Sequence, residues 1–509
     1  MNADSTPSSS VLASVDLRPQ PRWRSAAVAF SCSNNISSSA DSRRLSAAGN
    51  TRSRPVCITS GALATRWGPM PVRSHTALAH RRAIALRLRR VALRHRAAAW
   101  VRIPHRSAAA AYVARLKASF PDEIAAIDRY FKACDEARKA SMALFAAKAL
   151  PAPLATIVHW LNAPRVRRAL GTTTADAVRE IRDRRLAALL TARWGDYGMV
   201  PAQSPFALHA LVTGSYFAGA YYPIGGPARF AEALGETVTA AGGELRARAA
   251  VAEIRVPRGR VTGVRLVNGE SIDAPVIVSA MGAHNTAAAL PNGVARDWRE
   301  AVASLKSSVS YVSLYLGFRG DIRQHGATSA NVWIYESNEV GRVWERPADE
   351  DAPSMYVSFP SLKDAAHRDP QRHTAQVVVI CRWEPFSAWA GGSPRHRPEE
   401  YEATKSWIAE NLLAQFKRHF PRLAPLIDFH EISTPLSQAS FVAADRGAMY
   451  GLEMSVERMS HRALRVRTPV SGLLLAGQDA AGPGMQGAFM GGFMSAASIE
   501  PRLWREMSR

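Results

Sequence analysis

The residues of this sequence best suited to hold a ligand form a glycine-rich turn near its C-terminus. The turn follows a short apolar run at 473–476, and it contains Gly477, Gly482, Gly484 and Gly487. Residues without side chains let a backbone approach a flat or charged ligand closely. Asp479 adds a carboxylate that can accept hydrogen bonds from hydroxyl groups. The pattern therefore predicts a ligand site at this turn.

The elements that must position the turn are a strand and a helix. The run 473–476 is too short for a helix and apolar on both faces, which indicates a strand buried in a parallel sheet. An apolar helix is predicted to begin near Gly487, with its first N–H groups facing the ligand. The spacing of the last three glycines matches a dinucleotide fingerprint, but only 22 residues follow Gly487 and that motif needs a whole βαβ unit. A loop that only caps a core helix is the alternative.

A second glycine-marked block lies at 221–280. Gly225 and Gly226 predict a turn. A helix is predicted from Pro227 to about Ala241, where Gly242-Gly243 stops it. A hairpin is predicted at Asn268-Gly269. The strands predicted in this block are 245–256, 261–267 and 272–280.

Helices are predicted elsewhere by apolar spacing and by N-cap residues. Thr174 is a candidate N-cap for a helix over 175–194, and Ser204 for a helical segment that ends at Phe217. Strands predicted at 308–318, 331–336, 355–359, 376–383 and 427–434, with one long helix over 398–420, indicate a mostly antiparallel sheet with helices on one side.

Several short blocks resemble the phytoene desaturase-like flavoproteins, most closely the branch that contains retinol saturase and carotenoid isomerase. The blocks are Ser433–Leu436, Arg446–Glu453, Gly472–Asp479, Pro483–Phe489 and the glycine-marked block at 221–280. The resemblance covers about 107–509. It implies an FAD-dependent oxidoreductase that moves hydride or electrons between flavin and C–C or C=C bonds of an apolar, polyene or lipid-like substrate. It also implies NAD(P) as an electron partner.

The resemblance implies a set of cofactor-binding residues and no catalytic side chain. Val251 would contact adenine through its backbone, Asp479 would meet the ribityl or pyrophosphate region, and Tyr450 would line the flavin face. The helix N-terminus would approach the flavin pyrimidine edge. The whole set is Val251, Ala280, Tyr450, Gly477, Asp479, Met485, Gln486 and Gly487. His284, in a loop, is expected to be structural.

The predicted fold class is α/β (α+β), with a discontinuous Rossmann-like FAD-binding domain that is incomplete at its N-terminus. A substrate domain of mostly antiparallel sheet plus helices accompanies it. The predicted divisions are an unstructured segment (1–106), helices of the substrate domain (107–214), the middle of the FAD-binding domain (215–290), the substrate sheet and helix (291–464), and the last strand and helix of the FAD-binding domain (465–509).

Residues 1–106 differ from the rest in composition. They hold 18 arginines, three aspartates and neither lysine nor glutamate, so most of the net charge of +23 lies there. A basic arm for nucleic acid would want lysine as well, so no nucleic-acid partner is predicted. A mitochondrial targeting segment has this composition. Sequence translated out of frame is the third interpretation, and the abrupt return of lysine and glutamate after the boundary favours it.

The same segment contains no glycine-rich turn after an apolar strand, which is the motif that holds the FAD pyrophosphate in this family. Its loss would remove about three backbone donors worth roughly 1.5–3 kcal/mol each, and would leave the strand at 473–476 without a neighbour. A truncated or frameshifted chain without flavin or activity is therefore one alternative. A relative of the pyridine nucleotide-disulfide oxidoreductases is another, although the four cysteines form no CxxC pair.

Composition bounds the remaining classes. The chain is 47% apolar and 21% charged, as expected of a globular protein with two or three domains. It has no apolar run of about 18 residues, its cysteines are scattered, and its histidines lack metal-ligand spacing. We expect a cytoplasmic protein, peripheral to a membrane where it meets a lipid substrate, or a mitochondrial one if the N-terminus is a targeting segment.

Overall fold

The computed structural model describes residues 11–15, 26–30, 88–91, 93–97, 101–105, 109–149, 152–217, 220–394 and 396–503. The helices are α1 (Ala109–Ser119), α2 (Ile124–Ala149), α3 (Ala152–Gly171), α4 (Arg184–Thr191), α5 (Phe206–Tyr216), α6 (Ala228–Ala240), α7 (Ala283–Ala288), α8 (Arg296–Ala303), α9 (Pro360–Lys363), α10 (Glu399–His419), α11 (Pro435–Phe441), α12 (Val456–Ser460) and α13 (Gly484–Ile499). Within these ranges no helix combines the length and apolar character needed to span a bilayer.

The strands of the same ranges form four sheets. They are β1 (Val11–Val15), β2 (Ala26–Phe30), β3 (Leu88–Val91), β4 (Leu93–Ala97), β5 (Val101–His105), β6 (Ala220–Pro223), β7 (Glu244–Arg246), β8 (Val251–Arg255), β9 (Gly263–Leu266), β10 (Ser271–Asp273), β11 (Ile277–Ser279), β12 (Ser310–Arg319), β13 (Asn331–Tyr335), β14 (Ser354–Ser358), β15 (Arg372–Cys381), β16 (Ile427–Ser433) and β17 (Leu473–Leu475).

The largest sheet has the order β16-β12-β15-β14-β13-β4-β5 and is antiparallel except between β13 and β4. On β12, Tyr311 and Tyr315 pack under helices α1 to α5, whereas Val312, Leu314 and Leu316 pack under α10. The mostly antiparallel sheet is as predicted. The expectation of helices on one side only is wrong, because a strand that is apolar on both faces needs a covering layer on each.

A second sheet has the order β17-β11-β2-β1-β7, in which β17, β11 and β2 are parallel. Strands β1 to β5 all lie within residues 1–106, so the expectation of an unstructured segment is wrong for those stretches. The physical reason is that β11 has hydrogen-bonding groups on both edges. Strand β2 pairs with the edge of β11 that faces away from β17. Without β2, the hydrogen-bonding groups on that edge would be unpaired.

The outer edge of β17 is also paired. The Leu475 N–H donates to the Val466 carbonyl at 2.8 Å, and the Thr468 N–H donates to the Leu473 carbonyl at 3.3 Å. The strand predicted at 473–476 is therefore present, and it does not have the exposed edge that the sequence predicts.

Two of the predicted elements are interrupted. The strand expected over 245–256 is split into β7 and β8, because Arg248 between them adopts a left-handed backbone with φ of 57°. The helix expected over 175–194 is replaced by α4 and short turns, since Asp183 caps α4 by accepting the Arg185 N–H at 2.8 Å. The Thr174 hydroxyl does not cap a helix and lies 2.7 Å from that of Ser204.

Candidate functional site

Small residues hold helix α13 directly against the turn that follows β17. Gly477 has a left-handed φ of 79°, and a β-carbon at Gly491 would collide with its carbonyl oxygen. A β-carbon at Gly487 would collide with the Gly482 carbonyl in the same way. Strand, turn and helix therefore form one tightly closed unit.

Helix α13 begins at Gly484, three residues before the predicted start near Gly487. Pro483 occupies the N-cap position, and the side-chain oxygen of Gln478 accepts the Gly484 N–H at 3.3 Å. A residue of the turn thus caps the helix that follows it. Met485, Gln486 and Gly487 accordingly lie in the first turn of the helix, where the positive end of its dipole is concentrated.

Asp479 is buried and is bound by three separate segments of the chain. Its two carboxylate oxygens accept the Ala283 N–H at 2.8 Å and the Leu452 N–H at 2.9 Å. The guanidinium of Arg458 lies 3.9 Å from the same carboxylate and also donates to the Gln478 carbonyl. Burial lowers the pKa of Arg458, an effect that the charge of Asp479 opposes. Asp479 therefore joins the turn to the loop after β11, to the 450–452 turn and to α12.

Two of the other predicted residues lie close to Asp479. A β-carbon at Gly477 would lie 3.4 Å from the Ala280 carbonyl, so these two residues face each other across the strand ends. Met485 packs with Tyr216 and Tyr222, and the Phe489 ring lies 5.8 Å from the Phe230 ring. The start of α13 is therefore in contact with the 216–230 region.

Tyr450 and Val251 lie outside the turn and helix α13, but both are near them. Leu452, two residues after Tyr450, bonds Asp479, and Val251 packs against the core cluster that contains Leu475 and Ala480. The Tyr450 hydroxyl donates to the Gly195 carbonyl at 2.9 Å, and its ring packs against Gly198, within the core between the helices and the largest sheet. Burial raises the pKa of Tyr450 well above its usual range. Val251 pairs with Leu266 in the separate sheet of β8, β9 and β10.

Both ring nitrogens of His284 lie within hydrogen-bonding distance of oxygen atoms of the protein. Its Nδ1 lies 3.2 Å from the Asp445 carboxylate and its Nε2 lies 3.0 Å from the Val302 carbonyl. The hydrogen bond to Asp445 raises the pKa of His284. In the part of the chain that the structure describes, no cluster of three or more histidine, cysteine or acidic side chains could hold a metal ion.

A pair of buried charges was missed by the sequence analysis. Arg193 and Asp196 occupy the 3₁₀ turn Ala192–Asp196 after α4, and their charged groups lie 4.0 Å apart. The Arg193 guanidinium stacks over the Tyr216 ring at 4.1 Å. Burial raises the pKa of Asp196 to about 6, although the charge of Arg193 and the Tyr216 hydroxyl both lower it. The only signal in the sequence was two opposite charges, three residues apart, in an otherwise apolar and aromatic stretch.

Comparison with models of known protein families gives no match. Comparison with individual proteins does give matches. All-trans-retinol 13,14-reductase of Danio rerio is 28% identical over 412 residues, which are 76% of this chain and 68% of that protein. A second Danio rerio protein, named inactive all-trans-retinol 13,14-reductase, is 26% identical over 415 residues, 76% of this chain and 68% of its own. The chloroplastic prolycopene isomerase of Arabidopsis thaliana is 26% identical over 282 residues, 54% of this chain and 45% of its own.

These similarities support the predicted resemblance to the phytoene desaturase-like family, in the branch of retinol saturase and carotenoid isomerase. Members of this family are FAD-dependent oxidoreductases. The cyclohexylamine oxidase of Brevibacterium oxydans IH-35A has a similar fold, with a TM-score of 0.53 over 89% of both chains at 14% identity. The predicted fold class, a Rossmann-like α/β domain beside a mostly antiparallel sheet with helices, is confirmed for this phytoene desaturase-like protein.

Proposed function

We propose that this protein is an FAD-dependent oxidoreductase that moves hydride or electrons between flavin and C–C or C=C bonds of a polyene or lipid-like substrate. The observation that carries the proposal is that three parts of the chain meet. They are the turn from Gly477 to Asp479, the first turn of α13, and the cluster of Tyr216 and Tyr222 against which Met485 packs. Relatives named for retinol and prolycopene, both polyenes, support the substrate class.

The aromatic face of the largest sheet suits such a substrate. Five buried aromatic residues on this face pack under helices α1 to α5, and they are Tyr311, Tyr315, Trp333, Tyr335 and Tyr356. Aromatic rings contribute large apolar area with few rotatable bonds, and they pack well against a flat conjugated chain. The opposite face of the same sheet is mainly aliphatic.

The residues of the C-terminal turn fit the flavin end of FAD. Each carboxylate oxygen of Asp479 accepts one backbone hydrogen bond and has capacity for a second. The first turn of α13 would place positive dipole character beside the flavin. Gly477 and Asp479 would hold the cofactor, which supplies the hydride donor or acceptor, while the protein supplies orientation and polarity. NAD(P) as electron partner and peripheral membrane attachment belong to the same proposal.

The test is cofactor binding by the full chain. We expect the purified protein to be yellow, with a flavin absorbance band, and added FAD to raise its unfolding temperature because a ligand bound only by the folded state stabilises it. A folded, colourless protein whose unfolding temperature does not respond to FAD would refute the proposal.

The second candidate is a protein that folds but binds no flavin and has no oxidoreductase activity. The observation that favours it is the stretch after β2, Ser31 to Ile36, which contains no glycine where this family places its phosphate-binding turn. A relative named as inactive covers the same share of this chain as the retinol reductase does. The colourless outcome of the experiment above would support this candidate.

The disulfide oxidoreductase-like alternative finds less support. Burial raises the pKa of Cys134 to about 12 and also raises that of Cys381. Both are free and buried thiols, so neither is suited to act as a thiolate nucleophile.

A further inference from the structure

Arg193 and Asp196 form a buried ion pair in which several polar atoms lack hydrogen-bond partners. Their side chains are 5% and 4% exposed, and the closest approach of their charged groups is 4.0 Å. Both carboxylate oxygens of Asp196 and Nη2 of Arg193 are buried without a hydrogen-bond partner among the described residues. The Tyr216 hydroxyl acts on the pKa of Asp196, but it makes no hydrogen bond of normal geometry with it.

The buried pair of Arg458 and Asp479 provides the comparison. It has the same two residue types and a similar separation of 3.9 Å, yet the Asp479 carboxylate accepts two backbone N–H groups and Arg458 donates to a carbonyl. Nη1 of Arg458 also lacks a partner, so the two pairs differ chiefly in their carboxylates. Buried charges are normally satisfied in this way, since leaving them unpaired is costly. The described residues therefore do not supply a hydrogen-bond donor for the Asp196 carboxylate.

Apart from the Tyr216 hydroxyl, three polar groups lie near the pair, and they do not supply that partner because the backbone already engages them. The Tyr335 hydroxyl donates to the Ala192 carbonyl, and the Tyr450 hydroxyl donates to the Gly195 carbonyl. The indole N–H of Trp194 donates to the Val340 carbonyl. Residues on either side of the pair are thus held in place, while the pair keeps its hydrogen-bonding capacity.

The chemistry of the pair selects one kind of ligand group. A hydroxyl can donate to an Asp196 oxygen and accept from Arg193 at the same time, so it satisfies both. A carbonyl or an ether can only accept, which leaves the carboxylate unpaired. A carboxylate would be repelled by Asp196, and a hydrocarbon would leave both charges unpaired.

The position of the pair places that group near the predicted cofactor site. Arg193 stacks on the Tyr216 ring, and Tyr216 in turn packs in one cluster with Met485 of the first turn of α13. The pair also lies beside the aromatic face of the largest sheet, where it is in the same core as Tyr335 and Tyr450.

We propose that Arg193 and Asp196 form a subsite that binds a hydroxyl group of the apolar substrate and so selects an alcohol over the matching hydrocarbon. The inference rests on the proposed function, because it assumes an apolar ligand between the helices and the sheet. Arg193 and Asp196 are specificity-determining residues in it, with no part in the transfer of hydride.

Ligand binding tests the subsite without any need for turnover. Tryptophan emission from the full chain is measured while three polyenes with the same C20 skeleton are added separately: all-trans-retinol, its O-methyl ether and the parent hydrocarbon. Trp194 and Trp333 lie in the same core as the pair, so a bound polyene should quench them. We expect the alcohol to bind at least about tenfold more tightly than the ether, which is the size of one lost hydrogen bond to a charged group.

The double variant Arg193→Met with Asp196→Leu removes both charges without leaving one of them unpaired. We expect it to bind the three polyenes with equal affinity. The matched control is Arg129→Met with Glu180→Leu, which removes an exposed ion pair from the same helical layer and should keep the preference for the alcohol. Circular dichroism verifies that each variant is folded, and the wild-type series decides the question even if the double variant does not fold.

The outcomes separate the two proposals. Equal affinity of the wild type for alcohol, ether and hydrocarbon would overturn the subsite and leave the apolar-substrate proposal standing. A preference for the alcohol that persists in the folded double variant would also overturn the subsite. Binding of none of the three polyenes would overturn the proposed function, and the subsite with it.

Discussion

Replacement of Asp196 by asparagine is expected to stabilise the protein at neutral pH and to have little effect in acid. Asparagine has nearly the shape of a protonated aspartic acid, but it carries no charge at any pH. In the wild type the pKa of Asp196 is raised from 3.8 to about 6 because burial disfavours the carboxylate. Ionisation of Asp196 therefore costs free energy in the folded state that it does not cost in the unfolded state.

The size and sign of the effect follow from this shift. The folded state holds the proton more tightly, so the free energy of unfolding of the wild type falls as the pH rises from about 4 through about 6. A shift of roughly two units corresponds to about 3 kcal/mol at 1.36 kcal/mol per unit. The value already includes the attraction of Arg193, which is named among the causes that lower the pKa. Above about pH 7 the variant should thus be about 3 kcal/mol more stable than the wild type.

The assay is urea denaturation of both proteins at several pH values between about 4 and 8, with stability compared at each pH. Asp183→Asn is the matched control in the same region, since hydrogen bonds from Arg185 lower the pKa of Asp183. That variant should be less stable than the wild type at neutral pH, and its deficit should shrink in acid. An Asp196→Asn protein that is less stable at neutral pH, or whose advantage does not change with pH, would refute the reasoning.

Three further predictions concern stability and are measured by urea denaturation at neutral pH. Gly491→Ala should cost about 1–3 kcal/mol because its β-carbon has no room, whereas Gly492→Ala, with no atom within 4 Å, should be neutral or stabilise by up to about 1 kcal/mol; equal effects would contradict the close packing of α13. Asp479→Asn should cost about 1–3 kcal/mol because an amide has one acceptor oxygen and would leave either the Ala283 or the Leu452 N–H without its acceptor; an unchanged stability would contradict these two hydrogen bonds. Tyr450→Phe should cost about 1 kcal/mol through one lost hydrogen bond, and an unchanged stability would place its hydroxyl in water.

Features that depend on neighbouring residues in the sequence were the ones that could be predicted. Short sequence patterns predicted three features that the structure contains: the strand at 473–476, the turn at Gly477 and the hairpin at Asn268-Gly269. The helix start at Gly484 was missed because its first N–H is bound by the side chain of Gln478, which lies within the turn, six residues before the helix. Cap residues are usually sought immediately before a helix, so this one gave no signal.

Features that depend on three-dimensional neighbours could not be predicted. Asp479 was expected to be available to a ligand, and the sequence gives no indication that the Ala283 and Leu452 N–H groups also reach it. The burial of Arg193 and Asp196 was equally invisible, since charged residues are exposed in most proteins. The packing of the turn Ala192–Asp196 against the largest sheet and against Tyr216 encloses them.

The bonds of Asp479 also bear on how the molecule can move. Segments that are about 20 to 200 positions away along the chain, at Ala283, Leu452 and Arg458, contact one carboxylate. The turn after β17, the loop after β11, the 450–452 turn and α12 can therefore separate from one another only if several bonds break together.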